Sequence, residues 1–249
     1  MEKIIEIKNA TIKYKNDVFP TLEDISFDVN KSEMIAIIGP SGVGKSTLFK
    51  SLVKAIKLQN GSINIFGQNI CAIGKKEWKK IIKKIGFLTQ KPNLVSADDV
   101  YTNVQRAFID YKNFIFKIFG ILTKQQKVKI FETLEELDIL EKTFYRVDDL
   151  SGGQQQRVEI AKLLIREVDL ILADEPTSNL DNHTAKEVLV LLEKLKNNGK
   201  TIIVNIHDLS LVKPYFDRVI ALKDKKIVLD CATKEIEQWQ LEKIIQKTE

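Results

Sequence analysis

Between Gly39 and Ser46 the chain reads Gly-Pro-Ser-Gly-Val-Gly-Lys-Ser, which meets every fixed position of G-x-x-x-x-G-K-[ST]. The run Met34-Ile-Ala-Ile-Ile38 before it is continuously apolar, the pattern of a strand buried on both faces. After it, Lys45 to Lys54 carries Leu48, Leu52 and Val53 at helical spacing. A buried strand, a glycine turn and a helix in that order leave a chain little freedom. The glycines let consecutive N–H groups curl toward an anion, and the helix start adds its positive dipole. Lys45 can reach the outer phosphates of a nucleotide, and the Ser46 hydroxyl can ligate Mg²⁺. Gly39, Pro40, Ser41, Gly42, Val43, Gly44, Lys45, Ser46 and Thr47 are therefore the expected phosphate-binding residues.

Such a loop needs a carboxylate for its metal. Asp169-Leu-Ile-Leu-Ala-Asp174-Glu175 offers one, four apolar residues running into two adjacent acids. The C-terminal ends of parallel strands are where open sheets bind ligands. Asp174 is placed to hold Mg²⁺ through water, and Glu175 to polarise an attacking water as general base. A third stretch, Leu150-Ser151-Gly152-Gly153-Gln154-Gln155-Gln156-Arg157, opens a helix with a serine and two glycines. Read physically, this is a second anion site of free N–H groups and a hydroxyl, or simply a capped helix start.

The rest of the chain is organised around these motifs. Ile5 and Ile7, then Ala10 and Ile12, alternate with polar residues as half-buried strands, and Asn16-Asp17 marks a turn. Ile25, Phe27 and Val29 alternate again, and a short strand is expected between Gly61 and Gly67. Residues 75–84 form an amphipathic helix with Trp78, Ile81, Ile82 and Ile85 on one side, and residues 86–90 a strand. Its lysines are best taken as a solvated face. From Pro92 to Leu150 helix dominates, with a capping-box pattern at Thr123 and Gln126 ahead of Val128, Phe131, Leu134 and Leu137. Strands at 170–173, 201–206 and 219–222 alternate with a helix over 184–197, which argues for a mainly parallel sheet. Residues 232–249 read as a short amphipathic tail helix, packed on the core or on a partner.

Leu150 to Arg157 resembles the signature motif of the ATP-binding cassette (ABC) ATPases, and with the two motifs above the resemblance covers nearly the whole chain. It implies an α/β fold of the P-loop NTPase type. The core would be a mainly parallel sheet, accompanied by an antiparallel β subdomain and a helical subdomain carrying the signature. Residues 1–249 would form one cassette: 1–90 and 163–230 the core with its β subdomain, 91–162 the helical subdomain, 231–249 the tail. Tyr14 resembles the aromatic that stacks on adenine, and Gln90 the glutamine that senses metal and water. Asp181, in Ser-Asn-Leu-Asp, resembles the residue linking the two sites of a dimer, and His207 the histidine that binds the γ-phosphate. The resemblance implies ATP and Mg²⁺ as cofactors, with Ser46, Gln90 and Asp174 at the metal. It also implies a head-to-tail homodimer in which each ATP lies between the Gly39–Ser46 loop of one copy and Ser151, Gly153 and Gln154 of the other.

Among such ATPases, Asn93-Leu-Val95, Asn103-Val104, Phe119-Gly120 and Asn205-Ile-His-Asp-Leu are most similar to the phosphonate-importer group. Thr177-Ser-Asn-Leu-Asp181 is closer to the lipoprotein-release and macrolide-export cassettes, which stay open as alternatives beside a cytosolic, non-transport ABC ATPase. No apolar stretch approaches the ~18 residues of a membrane span, so transport implies separate permease subunits, with Lys91 to Val95 as the segment meeting them. A solute-binding lipoprotein would be an indirect partner, and the expected location is the cytoplasmic face of the membrane. The net charge of +5 is mild, and 34 of the 39 basic residues are lysine, so no nucleic-acid partner is implied. Two cysteines and two histidines exclude a disulfide framework and argue against a structural zinc cluster. In two turns this chain departs from the family habit of glycine: Ser32-Glu33 before the buried strand, and Asp224-Lys225-Lys226 before a late one.

Overall fold

Along Met34–Ile38 (β3) side chains alternate between two cores. Met34, Ala36 and Ile38 join one apolar cluster, while Ile35 and Ile37 join the other. Every residue of this strand is buried, as a strand sandwiched between two layers requires. The computed structural model describes residues 2–109 and 111–245.

Two sheets build the molecule. The antiparallel sheet holds Lys3–Ile12 (β1), Leu22–Asn30 (β2), Leu58–Ile65 (β4) and Gln68–Asn69 (β5), in the order β2-β1-β4-β5. The larger sheet adds Ile85–Thr89 (β6), Leu170–Asp174 (β7), Thr201–Asn205 (β8), Arg218–Lys223 (β9) and Lys226–Ala232 (β10), in the order β10-β9-β3-β8-β7-β6. The pairs among β9, β3, β8, β7 and β6 are all parallel, and only β10 runs against its neighbour. Helix Lys45–Leu52 (α1) and the antiparallel sheet cover one face, with Lys75–Lys83 (α2) beside them. The other face takes Val100–Gln105 (α3), Lys124–Glu136 (α5), Gly152–Ile165 (α6), Asn182–Asn197 (α7), Val212–Tyr215 (α8) and Gln238–Ile245 (α9). A short helix, Phe114–Ile118 (α4), lies between α3 and α5 in the chain.

Several expectations are corrected. The opening segment is one strand, not two. Its inward residues shift from odd positions (Ile5, Ile7) to even ones (Ala10, Ile12) because a bulge intervenes, with Asn9 at φ 47°. Gly61 does not begin β4, which starts at Leu58. It faces that bulge at φ 84°, where a Cβ would lie 2.4 Å from the carbonyl oxygens of Lys8 and Asn9. Ile85 belongs to β6 rather than α2, although it enters the same core as Ile81. In α5 the buried stripe is Ile130, Thr133 and Leu134; Val128 and Phe131 lie outside it. Phe131 instead packs at a tilt against Tyr101 and edge-on against Phe144. The tail is not helix from residue 232: β10 runs to Ala232, and α9 begins at Gln238. Leu241 of α9 is fully buried in the core while Trp239 is exposed, so the tail packs on its own chain. Residues 246–249 of the expected tail helix lie outside the described residues.

Candidate nucleotide site

The loop after β3 opens into α1 through Gly44, an N-cap residue with no side chain to accept from the first turn. The donors of that turn are thus left for something else. Gly39 has φ 151°, and a Cβ there would sit 2.4 Å from the Leu222 carbonyl oxygen, so the loop leaves β3 hard against β9. Lys45 is buried, and its ammonium donates to the carbonyl oxygens of Gly39 (2.7 Å) and Pro40 (3.1 Å). Burial lowers its pKa, an effect opposed by Glu175 and Asp174. Tyr14 comes to the same loop: its hydroxyl lies 3.3 Å from Thr47 Oγ1, and the Lys50 ammonium lies 6.0 Å from its ring centre.

The acids arrive from the neighbouring strands. Parallel register sets Thr89, Asp174 and Asn205 side by side at the ends of β6, β7 and β8. Ser46 Oγ donates to Asp174 Oδ1 at 3.3 Å, which bridges loop and acid. Glu175 turns left-handed at φ 54°, its N–H donating to the Asn205 carbonyl oxygen at 3.0 Å. His207 Nε2 lies 2.6 Å from Glu175 Oε1. A cavity of about 200 Å³ is lined by Ser41, Gly42, Gly44, Lys45, Ser46, Thr47, Glu175, Asn205 and His207. Among the described residues no group of three or more His, Cys, Asp or Glu side chains could hold an ion alone. A hydroxyl and one carboxylate form an oxygen donor set that suits a hard cation arriving with phosphates, as Mg²⁺ does.

The other predicted residues lie elsewhere. Gln90 follows β6 and is exposed. Ser151 caps α6 through a full capping box: its Oγ accepts from Gln154 N at 3.3 Å, and the Gln154 side chain accepts from Ser151 N at 3.0 Å. Asp181 caps α7, accepting from His183 N, Thr184 N and Thr184 Oγ1, the last at 2.6 Å. These bonds, the Thr184 hydroxyl first, lower the Asp181 pKa. The two caps touch, since a Cβ on Gly153 would meet Thr184 Cγ2 at 2.1 Å. Neither cap lines the Lys45 cavity, and neither do Tyr14 and Gln90.

Residues that sequence reading passed over join these parts. Gln156, buried in α6, donates to the carbonyl oxygens of Thr89 (3.2 Å) and Pro176 (2.8 Å). Glu159 Oε1 accepts from Asn93 N at 2.9 Å, and the Lys162 ammonium donates to the Asn93 carbonyl oxygen. Asn103 accepts from Val95 N (2.7 Å) and donates to Val95 O (3.0 Å). The backbone of 93–95 is thereby held by side chains of α6 and α3. Burial raises the Glu159 pKa and lowers that of Lys162. One signal was available: Gln156, Glu159 and Lys162 recur at every third position among the apolar residues of α6. Asn205 offered another, as an amide closing a strand that is otherwise apolar after Thr201.

The family profile described as "ABC transporter" matches residues 22–178. A curated relative from Mesomycoplasma hyorhinis, a probable ABC transporter ATP-binding protein p29, is 37% identical over 96% of this chain and 96% of its own. A phosphonates import ATP-binding protein, PhnC 2 of Oceanobacillus iheyensis, is 36% identical over 97% of this chain and 95% of its own. The solved ATP-binding cassette MJ0796, a dimer in a post-hydrolysis state bound to ADP and Pi, is 30% identical. It superposes with a TM-score of 0.78 over 92% of this chain and 98% of that one.

Proposed function

This chain belongs to the ABC transporter family and is an ATP-hydrolysing ATP-binding subunit, and from that premise we propose that it drives import of a phosphonate or a related phosphate-bearing solute through separate permease subunits. Likeness to phosphonate-import ATPases along nearly the whole chain supports the cargo class. One observation carries the catalytic reading. Lys45, Ser46, Glu175 and His207 line one cavity, while the serine–glycine start of α6 stands outside it.

In this reading the loop Gly39–Thr47 wraps the phosphates and Lys45 leaves its two carbonyl acceptors for the β- and γ-phosphates. Ser46, Asp174 and Gln90 would hold Mg²⁺, which when bound spreads the charge developing on the phosphates. Glu175 accepts the proton of the attacking water. His207 exchanges its bond to Glu175 for one to the γ-phosphate. Tyr14, poised over α1 by Thr47, offers its ring to adenine. Ser151, Gly153 and Gln154 serve the ATP held by a second copy, as a head-to-tail dimer requires, and Asp181 links the two sites. The dimeric relative bound to ADP and Pi supports that pairing. Within this scheme 1–90 and 163–230 act as the nucleotide-binding core, 91–162 as the helical arm and 231–249 as a tail. Among the described residues no helix is long and apolar enough to cross a membrane. Peripheral attachment at the cytoplasmic face, through a permease meeting 91–95, completes the proposal, with a solute-binding lipoprotein as a more distant partner.

Glu175→Gln tests it. The variant should bind Mg-ATP as the parent does and dimerise, with hydrolysis reduced by about 10²- to 10⁴-fold. Equal steady-state phosphate release from parent and variant would remove Glu175 from its assigned role.

A further inference from the structure

Asn205 closes β8, a strand buried along its whole length, and is itself 0% exposed. An aliphatic side chain would satisfy packing there without stranding polar atoms. The amide instead leaves its Oδ1 buried with no partner, which is unfavourable. What it gains is on the other atom: Nδ2 donates to Asp174 Oδ1 at 2.5 Å. That same carboxylate oxygen accepts from Ser46 Oγ at 3.3 Å, so amide and hydroxyl together fix the carboxylate's orientation. The main chain adds a second hold, because the Asn205 carbonyl oxygen accepts from Glu175 N at 3.0 Å. One residue thus grips both acids, Asp174 by its side chain and Glu175 by its backbone.

We propose that Asn205 is a positioning residue for the acid pair, aligning Asp174 beside Ser46 so that the site takes its divalent cation together with nucleotide. The inference rests on the ATPase reading above and assigns a role to a residue that the sequence marks only by its likeness to the phosphonate-importer group. Groups that orient a metal-binding side chain typically change metal affinity by about 10- to 100-fold when removed. Through linkage, the same factor appears in how strongly the cation improves nucleotide affinity.

The test uses the full chain and a fluorescent, non-hydrolysable ATP analogue, titrated once in EDTA and once in saturating Mn²⁺. For Asn205→Leu, which keeps the branching at Cγ and removes the donor, affinity in EDTA should stay within about twofold of the parent. The Mn²⁺-dependent enhancement should shrink by about tenfold. Asn205→Ala, which cannot overfill the site, should give the same split, and thermal melting checks that both variants fold. If both variants keep the parent's enhancement, or lose affinity equally with and without metal, Asn205 is only a packing residue and the proposal is overturned. If the parent itself shows no Mn²⁺ enhancement, the metal-dependent ATPase reading fails, and this proposal with it.

Discussion

The chain contains two glycine-bearing helix starts, and they are made differently. The start of α1 is capped by a glycine, carries a buried lysine and lies between strand ends in the core. The start of α6 is capped by Ser151 and Gln154, whose reciprocal bonds already occupy the N–H groups of both residues. Arg157, one turn on, is committed to the Leu137 carbonyl oxygen and to Glu187. Its remaining offer is the Ser151 hydroxyl proton and the N–H groups of the two glycines. In the proposed function the first start serves as the anion site within one copy, and the second as a lip that closes over the nucleotide of its partner. Their mountings differ as well. Main-chain pairing and apolar contacts hold the cradle, whereas Gln156, Glu159 and Lys162 fasten the lip helix through polar side chains.

The largest effect that can break this comparison lies at Gly153. A methyl group there would meet Thr184 Cγ2 at 2.1 Å and displace the residue whose hydroxyl holds Asp181. Gly153→Ala should lower steady-state ATP hydrolysis by about 10²-fold, with single-copy nucleotide affinity nearly unchanged because the cradle is untouched. Adding Thr184→Ser removes the obstructing methyl and keeps the hydroxyl, so the double variant should recover most of the activity. If Gly153→Ala weakens nucleotide binding to the isolated copy as much as hydrolysis, the two starts are not separate parts.

What the sequence disclosed about these two regions follows from how local each signal is. The cradle depends on neighbours in the chain, a buried strand, glycines and a helix, so Lys45, Ser46, Asp174 and Glu175 could be named from motif and period, while His207 came from the family resemblance. Their assembly needs only parallel strands ending together, which an alternating strand–helix order already implies. The lip's mounting could not be read in the same way. Whether Gln156 and Glu159 face inward depends on where α6 lies against residues 89–95, a tertiary fact with no echo in spacing strong enough to separate it from a wet face. Asn205 escaped for a related reason: its partner Asp174 is 31 positions away and meets it only through the register of β7 with β8. The bulge at Asn9 was visible as a change of parity, but two short strands produce the same pattern.

A smaller effect sharpens the contrast in mounting. Glu159 is buried, and burial, opposed by the Asn93 N–H, Lys162 and the Thr89 N–H, raises its pKa in the folded chain. A raised carboxyl binds its proton more tightly when folded than when unfolded. Its contribution is therefore fully present below the ordinary carboxylate range and is lost as pH rises through the raised value. Glu159→Gln keeps an acceptor for Asn93 N–H and removes the titration. Across that window the melting temperature of the variant should rise relative to the parent as pH increases. A constant difference would show that the clamp on residues 93–95 does not titrate.

The smallest effect concerns the turn that feeds the cradle. Ser32 sits at φ 59°, just before β3, and Asp224 and Lys225 occupy the turn between β9 and β10 at φ 48° and 68°. These are the two places where glycine is replaced, and both turns keep the left-handed geometry that glycine would adopt freely. Ser32 is the cleaner test. Its backbone N–H donates to Thr201 Oγ1 at 3.0 Å, a bond glycine retains, and among the described residues its hydroxyl makes no bond that would be lost. Lys225, by contrast, also pairs with Glu23 and covers the Phe19 ring. Relief of left-handed strain favours Ser32→Gly by about 1–2 kcal/mol, and the greater freedom of glycine in the unfolded chain offsets about half of it. The net gain of about 0.5–1 kcal/mol should raise the melting temperature by about 1–4 °C and leave nucleotide affinity unchanged. A cradle mounted on main-chain pairing can absorb such a change at its entrance. If Ser32→Gly alters nucleotide affinity instead, the turn shapes the cradle directly, and the rigidity assigned to that half of the comparison is wrong.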